Sequence, residues 1–329
     1  MAYRKEDYVC LSAMLRAREP GMLSKEKATR LIDTEDFDSA AKMLAGLGFA
    51  DMSDMSAGEI DAYLSERTGT ILKEIENLCP DKNVVNIFRI KYDYHNAKTL
   101  TKSVSKQENA DHVYSSCGRF GADELKSALA EGHSDLPEVL YKAINEANST
   151  LARTGNPQLS DFELDRAYFA ELKEAADKTG SDYVKGYVEL LIDMTNLRTA
   201  VRSVRMGKDA EFMRTALIPG GKTATDKIAA EALNGTVSEA FAGTSLSAAA
   251  ASGEEAAKGG KLTKFELACD NAVMEYLKGA KMVSYGIEPV LSYLAAVDTE
   301  QTAVRMVMSG KLTKVSSEVL KERLRDLYA

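Results

Sequence analysis

The sequence predicts an all-α protein. Three observations carry that reading. All six prolines, Pro20, Pro80, Pro137, Pro157, Pro219 and Pro289, fall where helices should start or stop. Inside a helix each would cost about 3 kcal/mol. Cap signatures precede apolar stripes of helical period. Strand signals are weak, because no Asn-Gly turn lies between two alternating runs.

The elements follow in order. Met1 to Pro20 carries charges from Arg4 onward and no apolar run, so it does not read as a secretory signal. Ser56 and Glu59 form a capping box that opens a long helix with Ile60, Leu64, Ile71, Leu72 and Ile75 on one face. Val84, Val85, Ile87 and Phe88 are residue types common in strands, but they lead directly into Arg89 to Tyr92, which continues a helical stripe. A short helix is expected over 121–129. Ser160 and Glu163 form a second box, and Val184, Val188, Leu191 and Thr195 share a face further on. Thr236 and Glu239 form a third box. Asn234-Gly235 reads as a helix C-cap. The Ala-, Ser- and Gly-rich stretch 243–260 reads as a short helix or a flexible connector.

Composition narrows the classes. A chain of 329 residues suggests two or three units. Hydrophobic residues at 45% and charged residues at 28% are those of a globular protein. Lys and Arg number 42 against 50 Asp and Glu, a formal −8, which argues against a nucleic-acid partner. Cys10, Cys79, Cys117 and Cys269 form no CxxC pair and read as free thiols of a reducing compartment. No run approaches the roughly 20 apolar residues of a membrane span. A cytoplasmic chain that does not itself cross a bilayer is expected.

An internal repeat of about 100 residues is the most informative feature. Asp165, Ala167, Leu172, Lys173 and Ala175 match Asp270, Ala272, Leu277, Lys278 and Ala280 at the same offsets. A second helix follows each, carrying acid-x-x-Asn-aliphatic-base or a decayed form of it. The three copies are Asp93, Asn96 and Lys98; Asp193, Asn196 and Arg198; and Glu300, Ala303 and Arg305. Three similar helical units follow: 1–106, 107–211 and 212–329. Acid and Asn are three apart, so they share a helix face and can join one polar network. Acid and base are five apart, about 140° around the helix, so each base must look to a neighbouring helix or to solvent. Either these groups tie helices together within each unit, or some line a shared surface between units.

Site chemistry is sparse. Pro219 to Thr223 resembles a phosphate loop only in part, since position 216 is Ala and the upstream segment reads as a helix. A helix break is the better reading. His95, His112 and His133 lack partners at zinc-ligand spacing. No nucleophile elbow and no Glu-x-x-His pair occurs. Neither catalytic residues nor a cofactor or metal are expected. Arg198, Arg202 and Arg205 share one helix face and are candidates for a partner interface.

The run Phe88 to Lys98 resembles the first-unit signature of the C-subunit family of V-type (A/V-type) ATPases, whose eukaryotic counterpart is the d subunit. Ile192 to Thr199, Leu217 to Gly221 and Tyr285 to Tyr293 match further stretches in the same order. The third copy departs from the family pattern: Val297-Asp298 replaces Lys-Glu, and Ala303 replaces Asn. The resemblance implies three units with pseudo-threefold symmetry forming a funnel. It implies central-stalk subunits and the membrane proteolipid ring as partners, a peripheral place on the cytoplasmic side of the membrane, and torque transfer without an active site. A cytosolic all-α scaffold without a membrane partner is the alternative, and an all-α enzyme with an unrecognised site is a third reading.

Overall fold

The computed structural model describes residues 3–131 and 135–329. Every regular element among them is helical. The chain opens with α1 (Val9–Arg18), α2 (Lys25–Ile32) and α3 (Phe37–Ala45). The long pair α4 (Ala57–Leu78) and α5 (Lys82–Lys106) follows. Next come α6 (Ala122–Glu131) and α7 (Glu138–Thr154), then the second long pair, α8 (Pro157–Thr179) and α9 (Asp182–Arg205). Four shorter helices intervene: α10 (Ala210–Ala216), α11 (Thr225–Asn234), α12 (Val237–Ala240) and α13 (Ser247–Ala257). The third long pair is α14 (Leu262–Lys278) and α15 (Ile287–Leu312), and α16 (Ser317–Arg323) ends the series.

Local chemistry explains most boundaries. The Ser56 box is complete: Ser56 N–H donates to Glu59 at 2.8 Å, and Glu59 N–H donates to Ser56 Oγ at 3.4 Å. Gly235 caps α11 at φ +81°, as Asn234-Gly235 suggests. Two boxes are corrected. α8 starts three residues before Ser160, with Asn156 as cap and Pro157 in the first turn, and Ser160 is buried inside it. Thr236 caps nothing; its hydroxyl donates to the Glu231 carboxylate at 2.8 Å, and only the four residues of α12 follow. The Ala-rich stretch is the ordered helix α13. A Cβ on its Gly253 would come within 2.9 Å of Val201 and 2.8 Å of Phe265, so glycine lets α13 lie close on α9 and α14.

The long pairs pack on one another in turn: α5 against α8, α9 against α14, and α15 against α4. Helix α15 also touches α1, α3, α5 and α9, which explains its nearly unbroken apolar run from Pro289 to Val297. One large core extends through all three pairs. A second core joins the chain's two ends. Leu23, Leu31 and Leu44 from the N-terminal segment pack with Val304, Val307 and Met308 of α15 and with Leu320 and Leu327. Each fully buried aliphatic side chain there contributes about 1.5–3 kcal/mol by leaving water. Of the positions expected to divide the chain, Gln107 caps α5 and residue 212 lies in α10.

Candidate functional site

The repeat motifs hold loops. Asp93 is fully buried in α5. It accepts hydrogen bonds from Arg119 N–H at 2.7 Å and Phe120 N–H at 3.3 Å, and its second oxygen takes Arg119 Nε at 2.6 Å. One turn on, Asn96 brackets a single residue: it donates to Ser115 C=O at 2.9 Å and accepts from Ser115 N–H at 2.8 Å. The second copy repeats the geometry. Asp193 accepts from Lys222 N–H at 3.2 Å and Thr223 N–H at 3.1 Å. Asn196 donates to Ile218 C=O at 2.7 Å and accepts from Ile218 N–H at 2.8 Å. The loops 115–120 and 218–223 therefore match residue for residue. In both, a glycine lies against the acid. A Cβ would sit 2.5 Å from Asp93 Oδ1 at Gly118 and 2.0 Å from Asp193 Oδ1 at Gly221.

The third copy clamps the other end of the chain. Glu300 accepts from Leu23 N–H at 2.7 Å and contacts Arg67 at 3.4 Å. Gly21 to Leu23 runs into α2 as Gly118 to Phe120 runs into α6 and Gly221 to Thr223 into α11. Ala303 makes no bracket. Burial pushes the carboxyls of Asp93, Asp193 and Glu300 above their ordinary pKa values, while their donors pull the other way.

The bases reach across to the next pair. Lys98 bonds Asp165 on α8 at 2.6 Å. Arg198 bonds Glu266 at 2.7 Å and Asp270 at 2.8 Å, both on α14. Arg305 bonds Asp61 on α4 at 2.6 Å. Asp61, Asp165 and Asp270 are 104 and 105 residues apart, so the acceptors repeat as the bases do. The three bonds run α5 to α8, α9 to α14 and α15 to α4, and the last returns to the start. The candidate arginines are all engaged within the chain. Arg202 bonds Glu266 at 2.7 Å and remains 57% exposed, while Arg205 donates to the carbonyls of Ala256 and Gly260 at 3.1 and 2.7 Å. Sequence reasoning missed Asp61 and the loop 115–118, although the repeat spacing points to the first and the lone Gly118 to the second.

The remaining chemistry is modest. His95 is exposed, with Nε2 3.1 Å from Val113 C=O, and His133 lies outside the described residues. No group of three His, Cys, Asp or Glu side chains suited to a metal occurs among the described residues. Burial pushes the thiols of Cys79 and Cys269 up to about 12, so both stay protonated at neutral pH. The Pro219 to Thr223 segment follows a helix, and the N–H groups of Lys222 and Thr223 are spent on Asp193. No described helix is long and apolar enough to cross a membrane.

The family model of the ATP synthase (C/AC39) subunit matches residues 11–323. The chain belongs to that family. This bears out the resemblance read from the repeat motifs. Among its C/AC39 relatives, the C subunit of the V-type sodium ATPase of Enterococcus hirae is 26% identical over 98% of this chain and 99% of its own. The C subunit of the A-type ATP synthase of Methanocaldococcus jannaschii is 24% identical, covering 97% of this chain and 86% of its own. That of Pyrococcus horikoshii is 24% identical over 96% and 90%. The match to the C/AC39 family takes in all three clamps and all three inter-pair bonds.

Proposed function

We propose that this chain is the non-catalytic C-type subunit of a V/A-type rotary ATPase. It sits on the cytoplasmic side of the membrane, between the central stalk and the proteolipid ring, and turns with the rotor. It carries torque for ATP-linked H+ or Na+ transport. The observation that carries the reading is the family match over nearly the whole chain. The geometry supports it. Moving one charge through about 100 mV is worth about 2.3 kcal/mol, and a turn of the rotor accumulates several such steps. A part that transmits this work must resist shear between its own segments. Three helix pairs bonded in a cycle, with the chain ends joined in a second core, resist it better than an open row.

The like-built clamps support a pseudo-threefold funnel of three units, 1–106, 107–211 and 212–329, with residues 22–45 lent to the third. Arg198 and Arg205 then stiffen a seam between units, and Arg202 keeps a face for the stalk. The cytosolic scaffold reading gains nothing from the family match. Affinity purification of the tagged chain from detergent-solubilised membranes of its host tests the proposal. Ring proteolipid and stalk subunits should co-elute, and recovery of soluble partners alone would overturn it.

A further inference from the structure

The register that aligns Asp61, Asp165 and Asp270 also aligns Gly58 with Phe162, and Ala62 with Arg166 and Asn271. In the second pair, the space between α8 and the clamped loop is filled from within. Phe162 meets Phe212 edge-on at 5.6 Å between ring centres, and Arg166 donates to Thr215 C=O at 2.9 Å. In the third pair the C-terminal tail fills it. Arg325 bonds Asp270 at 2.5 Å, and Asp326 N–H donates to Asn271 at 2.8 Å.

In the first pair the same space is open. A Cβ on Gly58 would meet nothing within 4 Å, and Ala62 is exposed. The counterpart of α10 shrinks to the single turn Asp111–Val113. A cleft of about 800 Å³ results, lined by Gly58, Ala62, Glu66, Tyr92, His95 and Tyr114 among others. The Tyr114 hydroxyl is buried without a hydrogen-bond partner. Both bases of the lining, Lys91 and Arg305, are already paired, with Asp298 and Asp61, while the acid is only partly matched. Asp270 takes two guanidinium groups, Arg198 and Arg325, whereas its counterpart Asp61 takes only Arg305. Glu66, on the face of α4 that also carries Gly58 and Ala62, lines the cleft, is exposed and has no ion-pair partner among the described residues.

The geometry points to this cleft as the docking groove for a polypeptide segment of a partner subunit, which brings an arginine or lysine to Asp61 and Glu66. The chain's own tail, with Arg325 on Asp270, is the pattern for it. The inference rests on the reading that the chain works inside a larger complex. A charge-assisted contact of this kind carries geometric specificity as well as affinity.

The test places a photoreactive benzoylphenylalanine at position 58 of the tagged full chain, and the complex is purified from host membranes and illuminated. An adduct to one partner subunit, at a segment holding a basic residue, is expected. Its yield should fall about tenfold, the loss of one charged contact, in Glu66→Lys. Ala62→Arg, which copies the second pair's own filler, should lower it likewise. Partner subunits that co-purify while every adduct stays within this chain would overturn the inference and leave the rotary reading intact. So would an adduct at a segment without a basic residue, or an unchanged yield in Glu66→Lys. Absence of partner subunits would remove both.

Discussion

Replacing Asn196 with Ala removes both halves of a backbone bracket. Asn196 is fully buried, and Ile218, which it holds, is 5% exposed. The lost bonds are 2.7 and 2.8 Å long, so both are well formed. Each buried group left unpaired costs about 1–3 kcal/mol, which puts the substitution at about 2–5 kcal/mol once some water enters the space. An unfolding entropy of about 2.1 cal/mol/K per residue, over a chain of this size, converts that to a fall in Tm of about 3–7 °C. Asn96→Ala should behave alike. Ala303→Asn should not stabilise, because the position that aligns with Ser115 and Ile218 is Arg18, whose backbone N–H is already committed inside α1. Thermal and urea unfolding followed by circular dichroism gives the size of the effect, and amide exchange at Ile218 gives its place. A Tm within about 1 °C of the parent, with Ile218 still protected, would refute the bracket argument.

Gly221→Ala should cost at least about 2 kcal/mol, since its Cβ would lie 2.0 Å from Asp193 Oδ1, whereas Gly58→Ala meets open space and should stay within about 1 kcal/mol; equal urea midpoints would contradict this. The inter-pair bonds should rank by burial. Arg198→Ala, with side chains 19–23% exposed, should lose about 2–4 kcal/mol, and Arg305→Ala, at 40% and 56%, about 0–1 kcal/mol. The reverse order of urea midpoints would refute it. Burial holds the folded Glu300 carboxyl above its ordinary 4.5, so the folded chain binds that proton more tightly than the unfolded one. The stability tied to this proton is full below 4.5 and lost as pH rises through the folded value. The stability of the parent relative to Glu300→Gln should therefore grow as pH falls from neutrality toward 4.5. A difference in urea midpoint that is flat or shrinks on acidification would count against it.

Helix positions were legible because their causes are local. Proline, cap residues and periodicity act within a turn or two, and they locate the long pairs. The two misplaced caps show where locality fails. Asn156-Pro157 starts α8 before Ser160 can, and Glu231 takes the Thr236 hydroxyl. The clamps were half legible. Acid and Asn declare a shared polar face, but what they hold is backbone 19 to 30 residues downstream, and a backbone N–H leaves no mark in side-chain sequence. Only the glycines that must clear the acid betray it, and Gly118 stands alone where Gly221 has a neighbouring glycine. The third clamp was hidden by distance, since Leu23 and Glu300 are 277 residues apart. The arginines of α9 looked like a free basic face because their carboxylate and carbonyl partners lie on α13, α14 and the turn between them.

Torque coupling is the central claim, and ATP-driven ion uptake into membrane vesicles tests it most directly. Vesicles from a host strain lacking this chain should hydrolyse ATP without accumulating ions, and uptake should return when the purified chain is supplied during assembly. Arg198→Ala, which opens one seam of the cycle, should restore less uptake per ATP than the parent. Full ATP-driven uptake in vesicles that lack the chain would contradict the account.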